Sequence, residues 1–195
     1  MKQTNKALSS LLFFSSMLTL QALSQGVPSP KRQPTSTSGK PVTHTGIYAP
    51  DFSLPDQNSK QFHLESFRGR KVLMMFYRGY WCSYCMGQLS DFAKHKGDFE
   101  KLNITLVAIS VDDQEHARQV WKSVVKRQFD VLRDTDAQVI KKYGILIDLG
   151  EDGQVAQRTI YLVDENGYQS WRKVSKSLED ISSAEEILKK IRMSL

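Results

Sequence analysis

The sequence predicts an α/β fold of three layers, with helices on both faces of a central mixed sheet. Two nearly unbroken apolar runs, 71–77 (Lys-Val-Leu-Met-Met-Phe-Tyr) and 104–110 (Ile-Thr-Leu-Val-Ala-Ile-Ser), read as strands buried on both faces. Segments of helical period follow each of them. Near the end, Asn166-Gly167 divides two strand-like runs, 159–164 and 168–174, as the turn of a hairpin does. Strands that alternate with helices and close on a hairpin and a helix form such a layered domain.

Each element has its own signal. Residues 49–54 (Ala-Pro-Asp-Phe-Ser-Leu) open the domain, with a turn at 56–59 and a short strand at 61–64. After strand 71–77, with Met74 and Met75 as core, a helix is expected over 82–102. After strand 104–110 another is expected over 114–127, where Ala117, Val120, Trp121, Val124 and Val125 make an apolar stripe. Asp112-Asp113 just before it reads as a cap. A strand at 129–132 and a helix at 136–143 precede the hairpin. Ser182 and Ser183, each three residues ahead of a glutamate, offer overlapping capping boxes for the last helix.

The N-terminus has a different character. Lys2 and Lys6 precede an apolar run, 7–23, and no charge appears between Lys6 and Lys31. Ala22 and Ser24 supply the small residues that signal peptidase requires, so residues 1–24 read as a signal peptide cleaved near Ser24/Gln25. The expected protein is exported, periplasmic or secreted. An uncleaved anchor is the alternative, but the run is short and carries four serines, whereas a spanning helix needs roughly 20 mostly apolar residues. Residues 25–46, rich in Pro, Ser and Thr, read as a flexible linker, and 47–195 as the domain.

Charge excludes one class of partner. The formal net charge is +6, but five of the basic residues, Lys2, Lys6, Lys31, Arg32 and Lys40, precede the domain. Residues 41–195 carry 22 basic against 21 acidic side chains, so no basic footprint for nucleic acid falls on the domain.

The chain has two cysteines, and they sit together in Trp81-Cys82-Ser83-Tyr84-Cys85, where strand 71–77 turns into a helix. The thiolate is the reactive form of cysteine, and a helix N-terminus favours negative charge. A loop this small constrains the unfolded chain little, so a redox role explains the pair better than a structural bridge. Two cysteines do not complete a structural zinc site, and His44, His63, His95 and His116 are scattered. No metal or other cofactor is expected. A Cys-x-x-Cys at a strand-to-helix turn, within this element order, is the pattern of a thioredoxin-like fold.

Residues 49–175 resemble peroxiredoxins of the alkyl-hydroperoxide reductase/thiol-specific antioxidant family. The likeness rests on Ala49-Pro50-Asp51-Phe52, on 67–73 (Phe-Arg-Gly-Arg-Lys-Val-Leu), on 106–112 (Leu-Val-Ala-Ile-Ser-Val-Asp), on 132–136 (Leu-Arg-Asp-Thr-Asp) and on 158–167 (Arg-Thr-Ile-Tyr-Leu-Val-Asp-Glu-Asn-Gly). It implies a thiol peroxidase that takes hydrogen peroxide or organic hydroperoxides and is regenerated by a thioredoxin-like or other dithiol reductant; the oligomeric state stays open. Thioredoxins place a cis-proline before the strand that faces the cysteines. Here all six prolines lie at or before Pro55, and Arg158 stands in that place. The resemblance implies that Arg158 holds the thiolate and the peroxide, and as a strand-end side chain it is expected to contribute little to stability; a surface charge at a strand end is the alternative.

The family's Pro-x-x-x-Thr/Ser-x-x-Cys, laid on the end of strand 71–77, puts Arg78 at the proline, Cys82 at the threonine and Cys85 at the peroxidatic cysteine. Tyr77, Arg78 and Trp81 then flank the site. In that register Cys85 attacks and Cys82 resolves; in thioredoxin order Cys82 attacks and Cys85 resolves. The expectation favours Cys85 for peroxide and makes Cys82, as the more accessible sulfur, the point of attack for a reductant. Two other functions compete: a thiol-disulfide oxidoreductase acting on exported protein disulfides, and a non-enzymatic metal-binding or interaction module of the same fold.

Overall fold

The computed structural model describes residues 46–194. The expected signal peptide and nearly all of the linker lie outside the described residues.

Among the described residues nine strands and five α-helices follow one another. Strands β1 (Ser53–Pro55) and β2 (Gln61–His63) form an antiparallel hairpin. Strand β3 (Lys71–Phe76) leads into helices α1 (Ser83–Lys94) and α2 (Lys96–Glu100). Strand β4 (Ile104–Ser110) is followed by α3 (Gln114–Gln119), which widens into a π-helical turn at Val120–Val124. Then come β5 (Asp130–Arg133), α4 (Gln138–Lys142), the hairpin β6 (Leu146–Asp148) and β7 (Gln154–Ala156), the hairpin β8 (Thr159–Val163) and β9 (Gln169–Val174), and α5 (Ala184–Ser194).

The central sheet has the order β5-β4-β3-β8-β9. Strand β3 runs parallel to β4, which runs parallel to β5, while β8 is antiparallel to β3 and to β9. The sheet is therefore mixed. Alternation along the strands divides the core in two. Leu73, Met75 and Tyr77 point with Ile160 and Leu162 toward α1, α2, α3 and α5, where Leu89, Phe92, Phe99, Val120 and Ile187 pack. Val72, Met74 and Phe76 point with Tyr161 and Val163 to the other side, covered by α4 and the β1–β2 hairpin. The three-layer α/β/α expectation holds, with a hairpin sharing the second face.

Several boundaries differ from the sequence reading. The helix expected over 82–102 is broken at His95, whose backbone (φ −99°, ψ 8°) leaves the helical region while its ring Nδ1 meets the carbonyl of Asp91 at 2.9 Å. The apolar period continues across the break, so periodicity alone does not reveal it. The helix expected over 114–127 ends early: after the π turn, Lys126 and Arg127 take positive φ (51° and 63°) and reverse the chain. The β6–β7 hairpin was missed, since segments of three residues have too little alternation to read. Of Asp112-Asp113, expected to cap α3, Asp113 does so, accepting from the amide of His116 at 2.9 Å, while Asp112 turns inward. Of the two capping boxes, the one with Ser183 forms, its Oγ accepting from the Glu186 amide at 3.1 Å.

Candidate active site

The site grows from the C-terminal end of β3. Cys82 is the N-cap of α1, extended in backbone (φ −79°, ψ 98°), and its Sγ accepts from the amide of Cys85 at 3.3 Å. That N–H is one of the orphan donors of a helix N-terminus. Cys82 and Cys85 are joined in a disulfide. Both are buried, Cys82 at 4% exposure and Cys85 at 1%. Trp81 and Tyr84 flank them at the surface, 47% and 43% exposed.

The turn between β3 and Cys82 is held by Asp112, just beyond the end of β4. Asp112 Oδ2 accepts from the Tyr77 hydroxyl at 2.8 Å, and its Oδ1 accepts from the Tyr80 amide at 3.1 Å. The Asp112 amide in turn donates to Ser110 Oγ at 3.2 Å. Burial, and then the neighbouring Asp112 charge, push the Tyr77 hydroxyl well above its ordinary pKa, so it remains a neutral donor. Gly79 lets the turn pack closely: a Cβ there would lie 2.7 Å from Trp81 Nε1 and 3.2 Å from Asp112 Oδ1, so a larger residue would make the Trp81 side chain shift. The Tyr80 ring stacks on His116 at 3.6 Å between centroids, and His116 Nδ1 lies 2.9 Å from Asp113.

Arg158 directly precedes β8. Because Thr159 pairs with Phe76, Arg158 stands opposite Tyr77, and alternation puts its side chain on the face of Ile160 and Leu162, the face of the cysteine helix. It is 2% exposed, which overturns the alternative of a strand-end surface charge; the same burial argues against the small weight in stability expected of Arg158 as a strand-end side chain. Its Nη2 donates to the carbonyls of Ser177 and Leu178, both at 2.6 Å, and so ties the segment after β9 to the sheet. Burial first, and then the charge of Arg78, pull its pKa down, though a guanidinium stays protonated at any neutral pH. Arg78 is half-buried. Arg158 Nη1 and Arg78 Nε are buried without a hydrogen-bond partner among the described residues.

The fold thus gathers the expected residues at the end of β3 and the start of β8. Sequence reasoning missed Asp112 as a holder of the active-site turn and missed the 175–183 segment. The one available signal for Asp112 was its place next to the end of a buried strand.

The AhpC/TSA family profile matches residues 45–168. The chain belongs to the AhpC/TSA family. A putative peroxiredoxin of Mycobacterium tuberculosis (strain ATCC 25618 / H37Rv) is 31% identical over 125 residues, covering 63% of this chain and 79% of the relative. Peroxiredoxin Bcp of Escherichia coli (strain K12) is 30% identical over 126 residues, 63% of this chain and 80% of the relative. The crystal structure of peroxidoxin BcpB from Mycobacterium tuberculosis superposes with a TM-score of 0.68 at 21% identity, covering 76% of this chain and 96% of that one, which supports the fold. The protein is a thiol-dependent oxidoreductase of the peroxiredoxin type. Among the described residues no three His, Cys, Asp or Glu side chains come together as a metal site.

Proposed function

We propose that this protein is an exported peroxidase that reduces hydrogen peroxide or small organic hydroperoxides through Cys82 and Cys85. The observation that carries the reading is a buried arginine, its Nη1 unpartnered among the described residues, on the face of a cysteine pair that closes into a disulfide. The Cys85 thiolate attacks one peroxide oxygen, the O–O bond breaks, and the other oxygen leaves as hydroxide or alkoxide and takes a proton. Cys85 becomes a sulfenic acid. The Cys82 thiolate then attacks that sulfur, the S–O bond breaks, and water leaves as the Cys82–Cys85 disulfide forms. A thioredoxin-like dithiol reduces it by exchange, with Cys82 as the attacked sulfur. The Arg158 guanidinium lowers the thiol pKa and donates to the peroxide.

A second reading, thiol-disulfide exchange on exported proteins, draws on the Cys82 N-cap. The Cys85 amide donates to Cys82 Sγ and so favours a thiolate at Cys82. Trapping with a sulfenic-acid reagent after one equivalent of peroxide separates the two. Cys82→Ser should accumulate sulfenate at Cys85, and Cys85→Ser should react slowly. The reverse pattern would move the protein to the second reading. Export rests on Lys2, Lys6 and the apolar run 7–23; N-terminal sequencing of protein from the native host should find a start near Gln25, and a full-length cytosolic product would refute it.

A further inference from the structure

The loop between α3 and β5, at the opposite end of the sheet from the cysteine pair, is built in a costly way. The Val125 amide closes the π turn on the Val120 carbonyl at 3.0 Å. Lys126 and Arg127 then both take left-handed backbone, φ 51° and 63°, and the Arg127 amide donates to the Trp121 carbonyl at 2.8 Å. That conformation is strained for a residue with a Cβ, and a loop that only reversed the chain would use Gly or Asn. Strained residues and π turns gather at functional sites. Here the strain fixes a side chain: the Arg127 guanidinium stands over the Trp121 ring, 5.5 Å from its centroid.

Arg127 and Trp121 line a groove of about 320 Å³ against α2 and the start of β4, the size of a small-molecule site. Buried Leu106 and Phe129 lie at its base, half-buried Phe67 and Trp121 at its sides, and exposed Arg70 joins Arg127 at the rim. The groove's two carboxylates are engaged: Glu100 by Lys96 Nζ at 2.8 Å, and Asp130 by the Gln57 side-chain amide at 3.1 Å. Neither Arg70 nor Arg127 forms an ion pair among the described residues. An apolar trough with aromatic sides and two uncompensated guanidinium groups is complementary to a flat apolar body that carries a negative charge.

We infer that this groove is a second binding site of the protein, for a small aromatic anion. The aromatic body lies along Phe67 and Trp121 above Leu106 and Phe129, and the anionic group meets Arg70 and Arg127. The site performs no chemistry of its own and stands apart from the cysteine pair, so it does not rest on the peroxidase reading.

Two probes of the same shape test this: naphthalene-2-sulfonate, and the neutral 2-naphthalenemethanol. Each is titrated into the protein at constant ionic strength, with calorimetry for affinity and the indole N–H resonances of the three tryptophans for location. The sulfonate should bind saturably at one site, about tenfold or more tighter than the alcohol, and should shift the Trp121 resonance, which is assigned by its loss in Trp121→Phe. Arg127→Asn removes the charge and suits the left-handed backbone, so the fold should hold. In that variant the sulfonate should bind about tenfold more weakly, with the alcohol unchanged, and Arg70→Gln should act in the same direction. Absent sulfonate binding, equal affinity for both probes, or sulfonate affinity unchanged in both variants would overturn the site. A shift confined to Trp81 or Trp171 would overturn its placement in this groove.

Discussion

The two faces of the central sheet are built on different principles. On the α4 side, Phe76, Tyr143 and Tyr161 meet at ring distances of 5.3–5.8 Å, and Phe52, Phe62 and Phe67 extend the cluster. The polar atoms there are satisfied locally: the Tyr143 hydroxyl donates to the Pro50 carbonyl at 2.9 Å and that of Tyr161 to the Tyr143 carbonyl at 3.2 Å. On the α1 side the same strands carry Tyr77 against a buried carboxylate, a disulfide and a buried arginine with one open donor. The first face follows the ordinary rules of a core. The second departs from them where the chemistry is placed, which is where natural proteins accept local cost.

Substitutions on the two faces should therefore separate stability from rate. Arg158→Ala should give the largest combined effect: peroxide reduction slowed by orders of magnitude, and stability lowered by about 2–3 kcal/mol because two carbonyls lose a buried charged donor. Arg158→Lys should keep the charge and lose most of the rate. An unchanged rate at neutral pH would remove Arg158 from the site. Leu132→Ala, in the core of the opposite face, should cost about 2–5 kcal/mol, with the rate constant of the folded protein unchanged. A matching loss of rate there would erase the distinction between the faces.

Asp112 tests how the reactive face is held together. Asp112→Asn keeps an acceptor oxygen but removes the charge, and should loosen the turn before Cys82. Stability should fall by about 1–2 kcal/mol, with a slower reaction, read by denaturant titration and stopped flow. A smaller effect appears at high pH. The Tyr77 hydroxyl is held neutral above its ordinary pKa, so the unfolded chain releases this proton first as pH rises. The stability it supports is full below about pH 10, the ordinary tyrosine value, and is lost above it. Tyr77→Phe should flatten the alkaline limb of stability against pH by up to one proton, and an unchanged slope would show that this phenol is not buried against Asp112. Ser183→Ala, at the cap of α5, should cost about 1 kcal/mol through the lost cap and leave the rate untouched.

The sequence carried most of the fold for identifiable reasons. Strands buried on both faces, such as 104–110, are long apolar runs and were read with the bounds observed for β4. The cysteine pair was legible because a strand ends and a helix begins there. Arg158 was legible through resemblance, yet its burial was not, since Arg-Thr at the start of a strand has no pattern that distinguishes a buried guanidinium from a solvated one. Asp112 was misread for a related reason. In Asp112-Asp113 both residues suit a cap, and only the approach of Tyr77 and Tyr80 from the turn after β3 decides which of the two turns inward. The break at His95 and the β6–β7 hairpin were hidden because neither alters the apolar period over enough residues.

The central claim is that peroxide oxidises this cysteine pair. Stopped-flow mixing of the fully reduced protein with hydrogen peroxide, with Trp81 beside the pair as the fluorescent reporter, tests it most directly. The account predicts a second-order reaction far faster than that of a free thiol, complete at one equivalent, with Cys82–Cys85 closed in the product and the rate lost in Cys85→Ser. Oxidation no faster than a free thiol, or a rate that survives without Cys85, would contradict it.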